Sequence, residues 1–248
     1  MTPDQLTRRV QALTAYAVAS TLALGALLLT GARSNRRAAF DEIDVERINV
    51  RKPDGRLSLV VSNEARMPGV ISGGREYGPK KGRSGLVFYD GGGDEMGGLT
   101  FGSRTEGGTL THSGHLAFDG RGTDQVVALS YSETWEGGEQ TGRVGGLRFV
   151  DRAPSTPEEG RARLAMGERL QTGDPAEREA AAEWFREHAR YGEAWSNRVV
   201  VGSVDGRAYL GLNDAQARPR VEATVDADGA PRVVTLDADG TPVDSIVD

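Results

Sequence analysis

The sequence predicts a mainly β protein: one N-terminal transmembrane helix, then an antiparallel β-sheet domain of meander, barrel or solenoid-like type, interrupted by a helical hairpin. Three observations carry this expectation. A stretch of 23 residues without a charge, VQALTAYAVASTLALGALLLTGA, lies between Arg9 and Arg33. Beyond it, short apolar runs alternate with Gly, Asp and Asn, the pattern of strands and tight turns. The chain of 248 residues holds 34 glycines and only 6% aromatic residues, which favours many turns over a large helical core.

The first element follows a tail over 1–9. A helix over 10–32 is long enough to cross about 30 Å of hydrocarbon, for which about 20 apolar residues are needed. A cleaved signal peptide is the alternative, but its apolar stretch usually runs only about 7–15 residues. Ala15, Ala19 and Ala23 share one stripe of this helix, and Ala17, Thr21 and Gly25 share its neighbour. Small residues four apart let helices approach closely in lipid, so these six form a candidate helix-packing interface with other integral membrane proteins. Arg33, Arg36, Arg37 and Arg47 follow the span, against two arginines before it, and this count favours a cytoplasmic C-terminal domain. A basic tail before the first apolar segment resembles an export signal and points the other way.

Residues 33–45 read as a juxtamembrane linker and 46–152 as a β-rich region. In RLSLVVSN, Leu57, Leu59 and Val61 face one side while Ser58, Val60 and Ser62 face the other. In DQVVALSYSE, Val126, Ala128 and Ser130 oppose Val127, Leu129 and Tyr131, and apolar residues on both sides predict central strands covered on both faces. Residues 153–192 change character. Ser155 or Thr156 precedes Pro157 and two glutamates, and Asp174 precedes Pro175, so two capped helices are expected. Trp184 and Phe185 fall at core spacing on the second. Residues 193–248 return to hairpins of the same domain, ending in the repeat VDADGAPRVVTLDADGTPV.

That repeat raises a chemical question. An EF-hand calcium loop needs oxygen ligands at positions 1, 3 and 5, glycine at 6 and a glutamate at 12. Counting from Asp226, position 5 is Ala230 and the glycine comes at 4, while both flanks read as strands. The Asp-Ala-Asp-Gly phrases are therefore hairpin corners, like Pro53-Asp54-Gly55, Phe118-Asp119-Gly120 and Val204-Asp205-Gly206. His112 and His115 in THSGH share a metal only if Ser113-Gly114 makes a turn between them, and no third ligand is indicated. The glycines of GGGDEM lead into a strand, so they lack the helix N-terminus of a dinucleotide site. Lys80, Lys81 and Arg83 mark an exposed basic loop, and with Arg33, Arg36 and Arg37 they are candidate contacts to a partner or lipid headgroups.

Composition excludes other classes. After Ala32 the chain carries 28 basic and 35 acidic groups, a net −7, a poor match for nucleic-acid phosphates. Without cysteine there is no disulfide framework, thiolate metal site or cysteine nucleophile. No catalytic residue, cofactor or metal site is expected.

At ERINVRKPDGRLSLVVSN (Glu46 to Asn63) and SGLVFYDGGGDEMGGLTF (Ser84 to Phe101), the chain resembles a group of uncharacterised bacterial proteins. These have a short hydrophobic N-terminus, the strand–Pro-Asp-Gly–strand phrase and later Asp-x-Asp-Gly hairpins. The resemblance runs through most of residues 40–248, rests on turn motifs and implies no activity. One span with one extrinsic domain is also similar in layout to accessory subunits of bacterial respiratory or photosynthetic membrane complexes. The expected function is that of a non-enzymatic, single-pass protein of the bacterial inner membrane that stabilises a larger complex. The alternatives are a membrane-anchored ligand-binding or envelope sensor domain using the Gly91–Gly98 and Thr111–His115 loops, and a hydrolase using His112 or His115.

Overall fold

A computed structural model describes the backbone of residues 2–32, 38–78, 83–153, 155–188 and 195–245. The chain forms two compact units, Met1–Asp44 and Val45–Asp248. The first contains α1 (Pro3–Ala32), one helix that runs through the whole uncharged stretch and starts before Arg8 and Arg9. The expected N-terminal helix is present, and its crossing of a membrane is not shown. Among the described residues no helix is long and apolar enough to cross a membrane. Side chains are described only as far as Ala26, and Gln11, Thr14, Tyr16, Ser20 and Thr21 dilute the apolar residues up to that point.

The second unit runs β1 (Arg47–Arg51), β2 (Leu57–Ser62), β3 (Val70–Ser72), β4 (Arg75–Tyr77), β5 (Ser84–Tyr89), β6 (Glu95–Glu106), β7 (Thr109–Phe118), β8 (Val127–Glu136) and β9 (Glu139–Arg152). After α2 (Pro157–Thr172) and α3 (Pro175–Glu187) it continues with β10 (Trp195–Val204), β11 (Arg207–Asn213), β12 (Pro219–Val225), β13 (Pro231–Leu236) and β14 (Pro242–Ser245). All strands but β3 and β4 join one 12-stranded antiparallel sheet in chain order. Among the described residues β1 pairs only with β2, and β14 only with β13, so the sheet is an open meander rather than a closed barrel.

Two turn types make that meander. Two-residue corners with both φ angles positive join β6 to β7 at Gly107-Gly108, β8 to β9 at Gly137-Gly138 and β10 to β11 at Asp205-Gly206. This geometry matches the twist of the flanking strands. The second type recurs at 52–56, 90–94, 214–218, 226–230 and 237–241. In each, the first N–H donates to the fifth carbonyl and the fourth N–H donates to the first carbonyl. The Asp-Ala-Asp-Gly corners are of this kind. Asp237 accepts from the backbone N–H of Asp239 and of Thr241, both at 2.9 Å, so its carboxylate holds its own turn. GGGDEM belongs to the same class at 90–94 and then enters β6.

The hairpin β3–β4 folds over β2 and β5. Met67 packs there with Val60, Val87 and Tyr89. Gly73 N–H reaches the Asp94 carboxylate at 2.6 Å, and Arg75 pairs with Glu168 of α2 at 2.6 Å. Both helices begin with a reciprocal capping box, Thr156 with Glu159 and Asp174 with Glu177, each followed by Pro at the first helical position. Thr156, not Ser155, is the cap. The Trp184-Phe185 pair lies in α3, which packs on α2 rather than on the sheet. Trp184 stacks on His188 at 4.2 Å and meets Phe185 edge-on at 5.2 Å.

The docking of α2 depends on two glycines in contact. A Cβ placed on Gly160 would lie 2.8 Å from the Gly122 carbonyl oxygen, whereas one on Gly167 would meet nothing within 4 Å. Gly160→Ala is expected to destabilise the unit by about 1–3 kcal/mol through overpacking. Gly167→Ala is expected to stabilise it by up to about 1 kcal/mol through helix propensity. Urea unfolding of the two variants gives opposite signs if this contact is as described.

Candidate functional site

Residues directly opposite each other in antiparallel pairs project to the same face. Five successive strands repeat one phrase, Leu-x-aromatic: Leu86-Val87-Phe88, Leu99-Thr100-Phe101, Leu116-Ala117-Phe118, Leu129-Ser130-Tyr131 and Leu147-Arg148-Phe149. The register sets the five leucines in one line, Leu86 opposite Leu99, then Leu116, Leu129 and Leu147. The line extends through Val61 to Ile48 on one side and through Val201 and Leu210 to Val233 on the other. It is an apolar ridge across eleven strands.

Because neighbouring strands run oppositely, the aromatic of each phrase falls alternately on either side of the ridge. Phe88, Phe118 and Phe149 form one flanking row and Phe101 and Tyr131 the other. Small residues occupy the gaps. Gly97 lies between Phe88 and Phe118, whose rings stack at 6.2 Å across it, and Gly114 lies between Phe101 and Tyr131. From β5 to β13 these three rows contain no charged residue. The next row outward is polar, running Ser103, His112, Glu133, Arg143.

This face is open to solvent. Leu129 is 50% exposed, Phe101 52% and Tyr131 45%. The opposite face, by contrast, is lined by Val60, Val87, Ala117 and Ala128, all buried. The expectation that β8 is covered on both faces is therefore corrected: Ala128 is covered and Leu129 is not. The covered side also carries Ser and Thr hydroxyls and, beyond its apolar core, an open cleft lined by Arg83, Arg104, Glu106, Thr109, Thr111 and Ser113.

The two histidines divide between the faces. THSGH is strand throughout β7, so Ser113-Gly114 makes no turn; His112 is exposed beside Glu133 and His115 is part-buried on the hydroxyl side. They cannot share a metal, and among the described residues no group of three metal-ligating side chains occurs. The Thr111–His115 loop of the sensor alternative is likewise strand. His115 Nδ1 lies 2.8 Å from Ser130 Oγ, and its buried Nε2 has no hydrogen-bond partner among the described residues. Burial, and then the nearby Arg83 and Arg148 cations, push its pKa below the ordinary 6.5.

In the first unit Ala15, Ala17, Ala19, Thr21 and Ala23 are exposed along α1 and Gly25 is partly so. Ala15 and Ala19 line a shallow groove with Thr14, Val18 and Leu22, and Thr21 Oγ1 donates to the Ala17 carbonyl at 2.9 Å. Of the basic candidates, Arg83 is exposed at the rim of the hydroxyl-lined cleft. Arg33, Arg36, Arg37, Lys80 and Lys81 lie outside the described residues. The feature sequence reasoning missed is the ridge itself. Its signal was present as the fivefold Leu-x-aromatic phrase, which is visible only when the strands are aligned by pairing rather than by turn motifs.

No protein-family model, no curated protein and no solved structure matches the chain.

The lowered pKa of His115 has a consequence for stability. Between 6.5 and its folded-state value the unfolded chain takes up a proton at this ring that the folded chain resists. The stabilisation is present above 6.5 and is lost as pH falls. The thermal midpoint of the wild type is expected to drop between pH 7 and pH 5 by more than that of His115→Gln, a neutral side chain at both values; parallel curves would remove His115 as the cause.

Proposed function

We propose that this protein is a non-enzymatic, single-pass membrane protein whose β unit docks on, and helps hold together, a larger membrane assembly. The observation that carries the reading is the uncharged ridge of Leu86, Leu99, Leu116, Leu129 and Leu147 with its exposed aromatic flanks. Contiguous exposed apolar patches beyond a few hundred Å² mark interaction sites on soluble surfaces. A polar row bordering an apolar centre is the usual anatomy of such an interface.

Anchoring in the bilayer is supported by the 23 uncharged residues and by the continuity of α1 through them. At 1.5 Å per residue, 23 helical residues span about 35 Å, enough for a hydrocarbon core of about 30 Å. The stripes Ala15, Ala19, Ala23 and Ala17, Thr21, Gly25 would meet other integral membrane proteins. The arginines after the span favour a cytoplasmic β unit at a bacterial inner membrane. The resemblance to bacterial single-span proteins and the layout of respiratory or photosynthetic accessory subunits fit this reading. The alternative, a membrane-anchored ligand-binding or sensor domain, is favoured by one feature, the hydroxyl-lined cleft at Arg83 and Arg104.

Mild-detergent extraction from native membranes, followed by native electrophoresis, tests the proposal. The wild type is expected to migrate in a large species. Leu129→Arg is expected to move most of the protein to smaller species, and Ala19→Leu with Gly25→Leu to do so in part. Migration at the same small size for all three contradicts the accessory role.

A further inference from the structure

We infer that the leucine ridge is closed by a second copy of this chain, packed sheet to sheet about a two-fold axis that runs along the ridge. The inference rests on the proposed reading of this face as a docking surface and names its occupant. Its basis is the way the face complements itself. A two-fold axis parallel to the ridge keeps each strand opposite the same strand of the partner and exchanges the two flanking rows. Within one strand the two flanking residues lie two positions before and two after the leucine. In β7 these are Gly114 and Phe118, so Phe118 of each copy faces Gly114 of the other.

The same exchange holds along the whole central sheet. In β6 it sets Phe101 against Gly97, and in β9 Phe149 against Gly145. In β5 and β8 the residues facing Phe88 and Tyr131 are Ser84 and Val127. Four of the five aromatic knobs meet Gly or Ser, Tyr131 meets Val127, and leucine meets leucine at the centre. The space is open at Gly114, where an added Cβ would have nothing within 4 Å; at Gly97 the Phe88–Phe118 stack, with centroids 6.2 Å apart, must part to admit the partner's ring. Two copies of one sheet also share one twist, as aligned face-to-face packing at about −30° requires.

The size fits. Eleven strands at about 4.8 Å spacing and three rows of side chains about 7 Å apart give a face of roughly 50 Å by 20 Å, or about 1,000 Å². A stable interface of standard size buries about 800 Å² on each partner. The three rows carry no charge from β5 to β13, so copies of a chain with net charge −6 meet there without direct repulsion. An anionic bilayer surface gains no electrostatic attraction from the same face.

The test uses the full chain in mild detergent and the fact that it contains no cysteine. Light scattering is expected to give a protein mass of twice 26.4 kDa for the wild type and for Thr141→Arg, an exposed position beyond the ridge, and one chain for Leu129→Arg. The double variant Gly114→Cys with Phe118→Cys is expected to form a covalent dimer on mild oxidation. Its two sulfurs cannot bridge within a chain, because four residues along a strand separate their Cα atoms by about 13 Å, beyond the roughly 7 Å limit of a disulfide. A second pair, Gly145→Cys with Phe149→Cys, repeats the test on β9 should the first fail to fold; a Cβ on Gly145 meets nothing nearer than the Tyr131 ring at 3.4 Å. A single-chain mass for the wild type, a dimer that survives Leu129→Arg, or the absence of cross-linking in folded pairs overturns the inference. If the wild type is a single chain but Leu129→Arg still releases it from its native complex, the docking reading survives with another protein as occupant. If Leu129→Arg also leaves that complex intact, both readings fall.

Discussion

Cross-strand pairing of leucine with leucine, held in register from β5 to β9, is the constraint on which the rest of the β unit depends. A one-residue slip in any of these strands would exchange its two faces. Leu129 and Tyr131 would turn to the side now lined by Ala128 and Ser130, and the hydroxyl groups would interrupt the ridge. Register is protected at both strand ends. The twin glycines at 107–108 and 137–138 supply the positive φ that a two-residue corner demands, and the aspartates of the longer corners bond their own backbone. Local turn chemistry and the long-range apolar pattern therefore specify the same alignment.

That alignment explains why the unit has so small an internal core. The hairpin β3–β4 and the residues before it cover only the β2–β5 end of one face, where Val60 and Val87 are fully enclosed, while α2 bears on β4 and on the loop at Gly122. Farther along, the enclosed side is built from Gly98, Ala117 and Ala128, residues too small to supply much apolar area. Along β6, β7 and β8 the larger side chains, Leu99, Phe101, Leu116, Phe118, Leu129 and Tyr131, point the other way. About 25 cal/mol is gained per Å² of apolar surface removed from water, so the greatest remaining gain available to this unit lies in covering the ridge.

Much of this could be read from the residues alone. The alternation in RLSLVVSN correctly separated Val60 and Ser62 from Val61, and Thr156-Pro157 and Asp174-Pro175 marked both helix starts. The corners at Asp-Ala-Asp-Gly were legible because ligand spacing and turn chemistry make different demands on glycine. Other features were not legible, for physical reasons. Strands of three residues, as in β3 and β4, are too short for alternation to register. Ser-Gly inside THSGH looks like a turn because glycine serves turns and crowded strands alike. The exposure of Leu129 depends on what fails to cover it, which no local pattern records, and Trp184 found its neighbours in its own helical hairpin.

The central claim is that the leucine ridge is covered in the native assembly. Single cysteines introduced at Leu129 and at Thr141, probed with a membrane-impermeant maleimide in opened native membranes, test it most directly. Thr141→Cys should label fast, whereas Leu129→Cys should label slowly and gain full reactivity only after denaturation. Equal and rapid labelling at both positions would show the ridge to be bare in its own membrane and would contradict the account.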